Sequence, residues 1–341
     1  MRLLRKSSTC DKPKSTKINQ NQPKYLRAHG KLLLTGEYFV LDGALALAVP
    51  TRFGQSLQIT NRPDQKGKLY WQSIDERGEV WFEGRFFLPG LQLEAGTDAA
   101  VGERLEQILQ AIRKQRPGFF TDQSVEVTTR LEFPRDWGLG SSSTLIAGLA
   151  RWADVDPYLL LADTFGGSGY DIACAFAEGA VLYERGGGRG GERVRGGERV
   201  RGGERVQRVD FKPDFSDRLF FIHMGKKQDS REGIRRYRAM VKDRADLVEK
   251  VTLLTKALLE SRDEDTFGEV MAAHEKLVGE ALGLQPVQEK YFPDFPGRIK
   301  SLGAWGGDFI LALSPWESEG TKRYFGQKQL GTVLSWDAMV G

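Results

Sequence analysis

Cysteine is nearly missing from this chain: the 341 residues hold two, Cys10 and Cys174. Their separation excludes a cysteine-rich metal site, and such sparse use fits a reducing compartment and a cytoplasmic protein. Histidine is almost as scarce. His29, His223 and His274 have no close metal-ligand spacing and read as structural or surface residues. No apolar run approaches the length of a membrane span, so no membrane partner is expected. The basic N-terminal stretch lacks an apolar h-region, which argues against a secretory signal. A Gly-X4-Gly-Lys-Ser/Thr sequence is absent, which removes the Walker-type P-loop. The full set of protein-kinase signatures is absent as well.

What is present is enough for a substantial core, since 40% of residues are apolar. The length suits one large or two ordinary domains. The net charge of +4 is unevenly spread. Residues 1–24 carry +6 and residues 184–208 carry +4, which leaves −6 for the rest. The folded body is therefore mildly acidic, and the basicity sits in two biased segments.

Residues 1–23 read as a disordered basic tail, with a transit peptide as the lesser alternative. Residues 185–208 read as a flexible insert. Within them a hexapeptide recurs three times over 190–207, twice as Gly-Gly-Glu-Arg-Val-Arg and then as Gly-Gly-Glu-Arg-Val-Gln. Each unit has one apolar residue, and paired glycines oppose helix and strand interiors. An RNA-binding role is weighed and set below a spacer role. The insert has no aromatics, and its Glu residues offset half its Arg charge. Between tail and insert, 24–184 form the expected N-terminal lobe, and 209–341 the C-terminal lobe.

Strand signals dominate from Lys31 to about Phe87, and Val101, Leu105, Ile108, Leu109 and Ile112 mark one face of a helix. Val125, Val127, Thr129 and Leu131 then alternate as a strand does. Gly179–Tyr183, Leu219–Ile222, Phe309–Leu313 and Thr332–Trp336 read as further strands, and 229–260 and 264–283 as two long helices. This order predicts a two-lobed α+β protein.

The densest chemistry is Gly138-Leu139-Gly140-Ser141-Ser142-Ser143-Thr144, which follows the 125–131 strand and opens a helix-like run through Leu145, Ile146 and Leu149. A glycine-rich turn there aims unpaired N–H groups outward at the positive end of a helix, which suits a phosphate. Its hydroxyls add hydrogen bonds to phosphate or a ligand to Mg²⁺. The same pattern also serves as a plain tight turn. Three more glycine-centred segments accompany it: 28–43, with Lys31, Gly36, Glu37, Tyr38 and Gly43; 166–173, with Gly166, Gly167, Ser168, Gly169, Tyr170 and Asp171; and 301–309, with Gly303, Trp305, Gly306, Gly307 and Asp308.

In that order and spacing, these segments resemble the GHMP kinase superfamily, over most of 24–341. The resemblance implies a two-lobed α+β fold, with an N-terminal mixed β/α lobe, 24–184, that binds the nucleotide and a C-terminal ferredoxin-like α/β lobe, 209–341, that binds the substrate. It also implies phosphoryl transfer from ATP with Mg²⁺ to a mevalonate-pathway acceptor, phosphomevalonate or mevalonate. A sugar kinase or a diphosphomevalonate decarboxylase is the alternative within the superfamily. A non-catalytic nucleotide-binding or RNA-associated protein is the alternative outside it.

Carried over residue by residue, Asp171 becomes the catalytic base or hydroxyl orienter and Lys31 its cationic neighbour. Gly138, Leu139, Gly140, Ser141, Ser142 and Ser143 become the ATP cradle. Glu37, Tyr38, Ser168, Gly306, Gly307 and Asp308 become substrate contacts. Lys226 and Arg231, at a helix start, add an anion site that competes with plain helix capping. Two departures stand out. Trp305 interrupts a run of small residues. Between Ser141 and Asp171 there is no Glu to ligate Mg²⁺, which leaves Ser142 as the hydroxyl ligand by similarity and Asp163 as a substitute or a helix-end residue. A monomer or homodimer is expected, with a small-molecule partner and no nucleic acid.

Overall fold

The computed structural model describes residues 22–186, 198–199, 203–226, 230–241, 244–305 and 308–341. The expected basic tail, most of the hexapeptide repeat, and Gly306 and Gly307 lie outside the described residues.

The first strand, β1 (Lys24–Thr35), starts exposed, alternates around Lys31, and ends fully buried through Leu32–Thr35. That change reflects what covers it: a half-solvated edge first, then helices packed against its buried end. Its partner β2 (Ala46–Lys66) is the spine of a large mixed sheet. Among the described residues this sheet runs β5 (Leu93–Gly96), β4 (Val80–Phe87), β3 (Lys68–Ile74), β6 (Gln123–Leu131), β2, β7 (Val181–Glu184), β9 (Arg205–Arg208) and β8 (Glu198–Arg199), with β1 also paired to β2. Helix α1 (Ala99–Gln115) is capped by the Asp98 carboxylate, which accepts from Val101 N–H. It joins α2 (Ser141–Ala153) and α3 (Pro157–Thr164) over one sheet face, where Leu57, Leu69, Phe82, Ile108, Leu109, Ile146 and Leu160 form a buried core. Helix α4 (Tyr170–Ala175) follows.

The C-terminal half is a βαββαβ unit. Strand β10 (Leu219–His223) leads through α5 (Ser230–Met240), α6 (Ala245–Glu260), α7 (Glu264–Leu282) and α8 (Val287–Tyr291) to β11 (Arg298–Ser301) and β12 (Phe309–Leu313). Helix α9 (Ser318–Gln327), β13 (Val333–Ser335) and α10 (Trp336–Met339) complete it. Its antiparallel sheet runs β11-β12-β10-β13. This is the ferredoxin-like order that the resemblance implies. A cluster including Leu32, Leu34, Phe133, Leu139, Phe221, Leu302 and Phe309 spans the two sheets and fixes one against the other beneath the site.

Two expectations need correction. The single helix expected over 229–260 is broken between α5 and α6. The Asp42 carboxylate accepts from the Tyr237 hydroxyl at 2.5 Å and from the Arg244 guanidinium at 3.2 Å, so one acid ties the end of each helix. Nor is the expected spacer at 185–208 loop throughout. Arg205–Arg208 pair antiparallel with β7, and Glu198–Arg199 pair with β9. The repeat's one apolar residue, here Val206, packs against the core around Val181 and Tyr183. That contact is what composition alone did not reveal. Among the described residues no helix is long and apolar enough to cross a membrane.

Candidate active site

The Gly138–Ser143 turn closes one wall of a cavity of about 580 Å³. Helix α2 starts at Gly140, whose φ of 91° and ψ of 48° are left-handed and favour glycine. Among the described residues no side chain caps this end. The Ser143 hydroxyl donates instead to the Gly140 carbonyl at 2.9 Å, and the Thr144 hydroxyl to Gln55 Oε1 at 2.7 Å. The first N–H groups of α2 are thus left to an outside acceptor, at the positive end of the helix.

β1 brings Lys31 to this turn. Its backbone N–H donates to the Leu139 carbonyl at 3.0 Å, and its Nζ to the Gly138 carbonyl at 2.9 Å. The short helix α4 brings Tyr170 and Asp171, with Lys31 Nζ 5.7 Å from the centre of the Tyr170 ring. Burial opposes the charge on Lys31, but Tyr170, Asp308 and Asp171 together hold its pKa above the ordinary lysine value. Burial raises the Asp171 carboxyl above the usual range, with Lys31, the Ile172 N–H and the Ser143 hydroxyl pulling it back. The Tyr170 hydroxyl is pushed up to about 12, by burial first, so it stays a neutral hydroxyl near neutral pH.

Asp308 enters from the loop before β12 and lines the same cavity. Ser168 lines it too, and its carbonyl accepts the Tyr183 hydroxyl. Tyr38 forms the far wall, holding a left-handed φ of 62° and donating its hydroxyl to the Ala304 carbonyl at 2.8 Å. Ile234 and Leu41 give that end an apolar surface. Beyond the serine turn, an adjoining pocket of about 330 Å³ is walled by Trp81, Val101, Leu105, Ile108, Leu145 and Phe165. It shares Arg135, Ser141, Ser142 and Phe165 with the main cavity. Arg135 lies over the Trp81 ring, 3.9 Å from its centre.

Most expected site residues meet here: Lys31, Tyr38, the Gly138–Ser143 turn, Ser168, Asp171 and Asp308. Glu37 does not. It is fully buried behind the site, paired with Lys300, and its Oε2 lies 3.4 Å from His274 Nε2. Lys226 is exposed and lines no part of the cavity, and Gly306, Gly307 and the Arg231 side chain lie outside the described residues. Asp163 is half-exposed and pairs with Lys114 at 3.3 Å, away from the serine turn. Arg135, Trp81 and Phe165 were not expected in the site from sequence, and Tyr170 was named only as part of its segment, with no role. Tyr170 had the clearest signal, its position beside Asp171.

Among the described residues no cluster of three or more His, Cys, Asp or Glu is poised for a metal. What the site offers a phosphate-bound cation is the exposed Ser142 hydroxyl beside two carboxylates, Asp171 and Asp308, both close enough to act on Lys31. Hard oxygen donors of this kind suit Mg²⁺ shared with a nucleotide, which needs few protein ligands.

The two-lobed α+β fold is shared with solved structures. The chain resembles the Leishmania major mevalonate kinase solved with R-mevalonate, at 15% identity and a TM-score of 0.64, covering 94% of this chain and 97% of that one. It resembles the Streptococcus pneumoniae phosphomevalonate kinase solved with phosphomevalonate and AMPPNP, at 16% identity and a TM-score of 0.63, covering 92% and 99%. The Staphylococcus aureus mevalonate diphosphate decarboxylase follows with 16% identity and a TM-score of 0.54, covering 90% and 91%. No protein-family model matches the chain, and no curated protein matches its sequence.

Proposed function

We propose that this chain is an ATP-dependent kinase of small metabolites, acting on a mevalonate-pathway acceptor, the phosphate of phosphomevalonate or a hydroxyl of mevalonate. One observation carries the reading: the uncapped start of α2, Lys31 and Asp171 face a single cavity. The apolar pocket around Trp81 and Leu145 would take the nucleoside, and the serine turn its phosphates. The end of the cavity at Tyr38, Leu41 and Ile234 would take the acceptor.

In this reading Asp171 orients the acceptor oxygen and, where that oxygen is a hydroxyl, accepts its proton as it attacks the γ-phosphorus. The bond from that phosphorus to the β,γ-bridging oxygen breaks, and ADP leaves. A base with a raised pKa suits that task. Lys31, fixed by the Gly138 carbonyl, faces the charge that builds on the transferring group and keeps Asp171 ionised. Ser142, with Asp171 and Asp308 nearby, would hold Mg²⁺, which neutralises phosphate charge when bound. The serine N–H groups orient the triphosphate without a lysine-bearing P-loop.

The test is ADP release from Mg-ATP with mevalonate, phosphomevalonate and a panel of small sugars, with Asp171→Asn as the control. The reading predicts turnover with one of the first two and its loss in the variant. Nucleotide binding with no turnover on any acceptor would reduce the chain to a nucleotide-binding module.

A further inference from the structure

A second cavity, of about 600 Å³, lies behind the Tyr38 wall between α5, the α7–α8 turn and the loop before β12. Tyr38 and Ala304 line both cavities, so the hydrogen bond between them is the partition. The floor of the second cavity is apolar, built from Leu282, Leu284 and Val287. Its rim carries Arg235, Arg236 and Lys290 against one carboxylate, Glu232. Arg236 is partly committed, donating to the carbonyls of Leu282 at 2.9 Å and Gly283 at 3.3 Å. That still leaves an excess of positive charge at the mouth of an apolar groove.

Trp305 also lines this groove. It is 6% exposed and held at a left-handed φ of 53°. Its Cη2 edge abuts the Gly279 position on α7, where an added Cβ would lie 2.9 Å away. The buried indole Nε1–H has no acceptor among the described residues. A buried donor without a partner is costly, and strain in a bulky residue persists only where surrounding structure imposes it. Both features sit on the residue that interrupts an otherwise small-residue motif.

We propose that this groove is a second binding site, for a small anionic head group on an apolar stem. The head, a phosphate monoester or a carboxylate, accepts from Trp305 Nε1–H and is neutralised by Arg235 and Lys290, while the stem lies on Leu284 and Val287. The site is separate from the nucleotide cavity and stands whether or not the phosphoryl-transfer reading holds.

The test titrates n-hexyl phosphate, and in a parallel arm hexanoate, into the full chain. Binding is followed by calorimetry and by the Trp305 indole N–H resonance, identified as the signal lost in Trp305→Phe. Binding of either probe with movement of that resonance supports the site, and the tighter arm identifies the head group. Arg235→Gln and Lys290→Gln, both at exposed positions, are each expected to weaken binding at least ~3-fold. Trp305→Phe should weaken it ~3- to 10-fold, and the exposed charge variants keep the test valid if that variant fails to fold. Saturating AMPPNP should leave binding in place. A resonance unmoved by millimolar probe, an affinity indifferent to both charge substitutions, or competitive displacement by AMPPNP would each overturn the proposal.

Discussion

The Asp308 carboxylate occupies the space that a Cβ on Gly138 would need, well inside contact distance. The serine turn and the loop before β12, 170 residues apart in sequence, are thus interlocked, and Gly138 also holds a left-handed φ of 66°. Gly138→Ala must displace Asp308, strain the turn, or both. Because Lys31 Nζ also hangs on the Gly138 carbonyl, the shift would reach the reacting atoms. We expect kcat/KM to fall on the order of 10²-fold, since misplacement of about an ångström suffices for that. Steady-state kinetics together with a melting temperature check it. A variant with wild-type kinetics would mean the interlock does not position the site.

Asp171→Asn keeps the shape of the side chain but cannot take a proton. Its kcat should drop about 10²- to 10⁴-fold while the affinity for ATP changes little. Lys31→Met removes a charge that lines the same cavity, and its effect should also fall on kcat. If Asp171→Asn lowered ATP affinity and left kcat alone, Asp171 would be a nucleotide ligand rather than the base.

The pH profile follows from the same pair. Burial raises the Asp171 carboxyl, and Lys31 is the first group pulling it down. A base must be ionised to work, so kcat/KM should rise with pH through the Asp171 pKa, with its acid limb above the ordinary carboxylate range. Removing the cation in Lys31→Met should move that limb to still higher pH. An acid limb that stayed put in the variant would show that Lys31 does not act on Asp171.

Much of this was readable from local pattern. A strand, a Gly-X-Gly turn and an apolar helix are contiguous in sequence, so 125–153 could be read directly. Asp171 and Lys31 followed from motif order. Glu37 could not be placed that way. It lies next to Tyr38, which does line the cavity, but its fate is set by Lys300 and His274, 263 and 237 residues away. Those partners meet it only after the βαββαβ unit docks against β1. The break between α5 and α6 was hidden for a similar reason, since Asp42, which ties both helices, lies far upstream. In sequence Trp305 is only an interruption of a small-residue run, and the second groove it lines is visible only in the fold.

Glu37 gives a stability prediction with a definite sign. Burial raises its carboxyl to about 7, with Lys300 opposing, against an ordinary value of 4.5. The folded state therefore holds a proton between those values that the unfolded chain releases. This contribution is fully present below about 4.5 and is lost as pH rises through about 7. Neighbouring His274 works the other way. Burial, then Lys300, lowers its pKa well below 6.5, so its share is present above that value and is lost on acidification. Its Nε2 accepts the Gly36 N–H at 3.1 Å, which fits a neutral ring. Total stability mixes both, so the informative quantity is the melting-temperature difference between wild type and Glu37→Gln. That difference should shrink by a few degrees from pH 5 to pH 8. A difference that held constant or grew over this range would show that Glu37 stays ionised in the fold, and that its pairing with Lys300 outweighs the penalty of burying it.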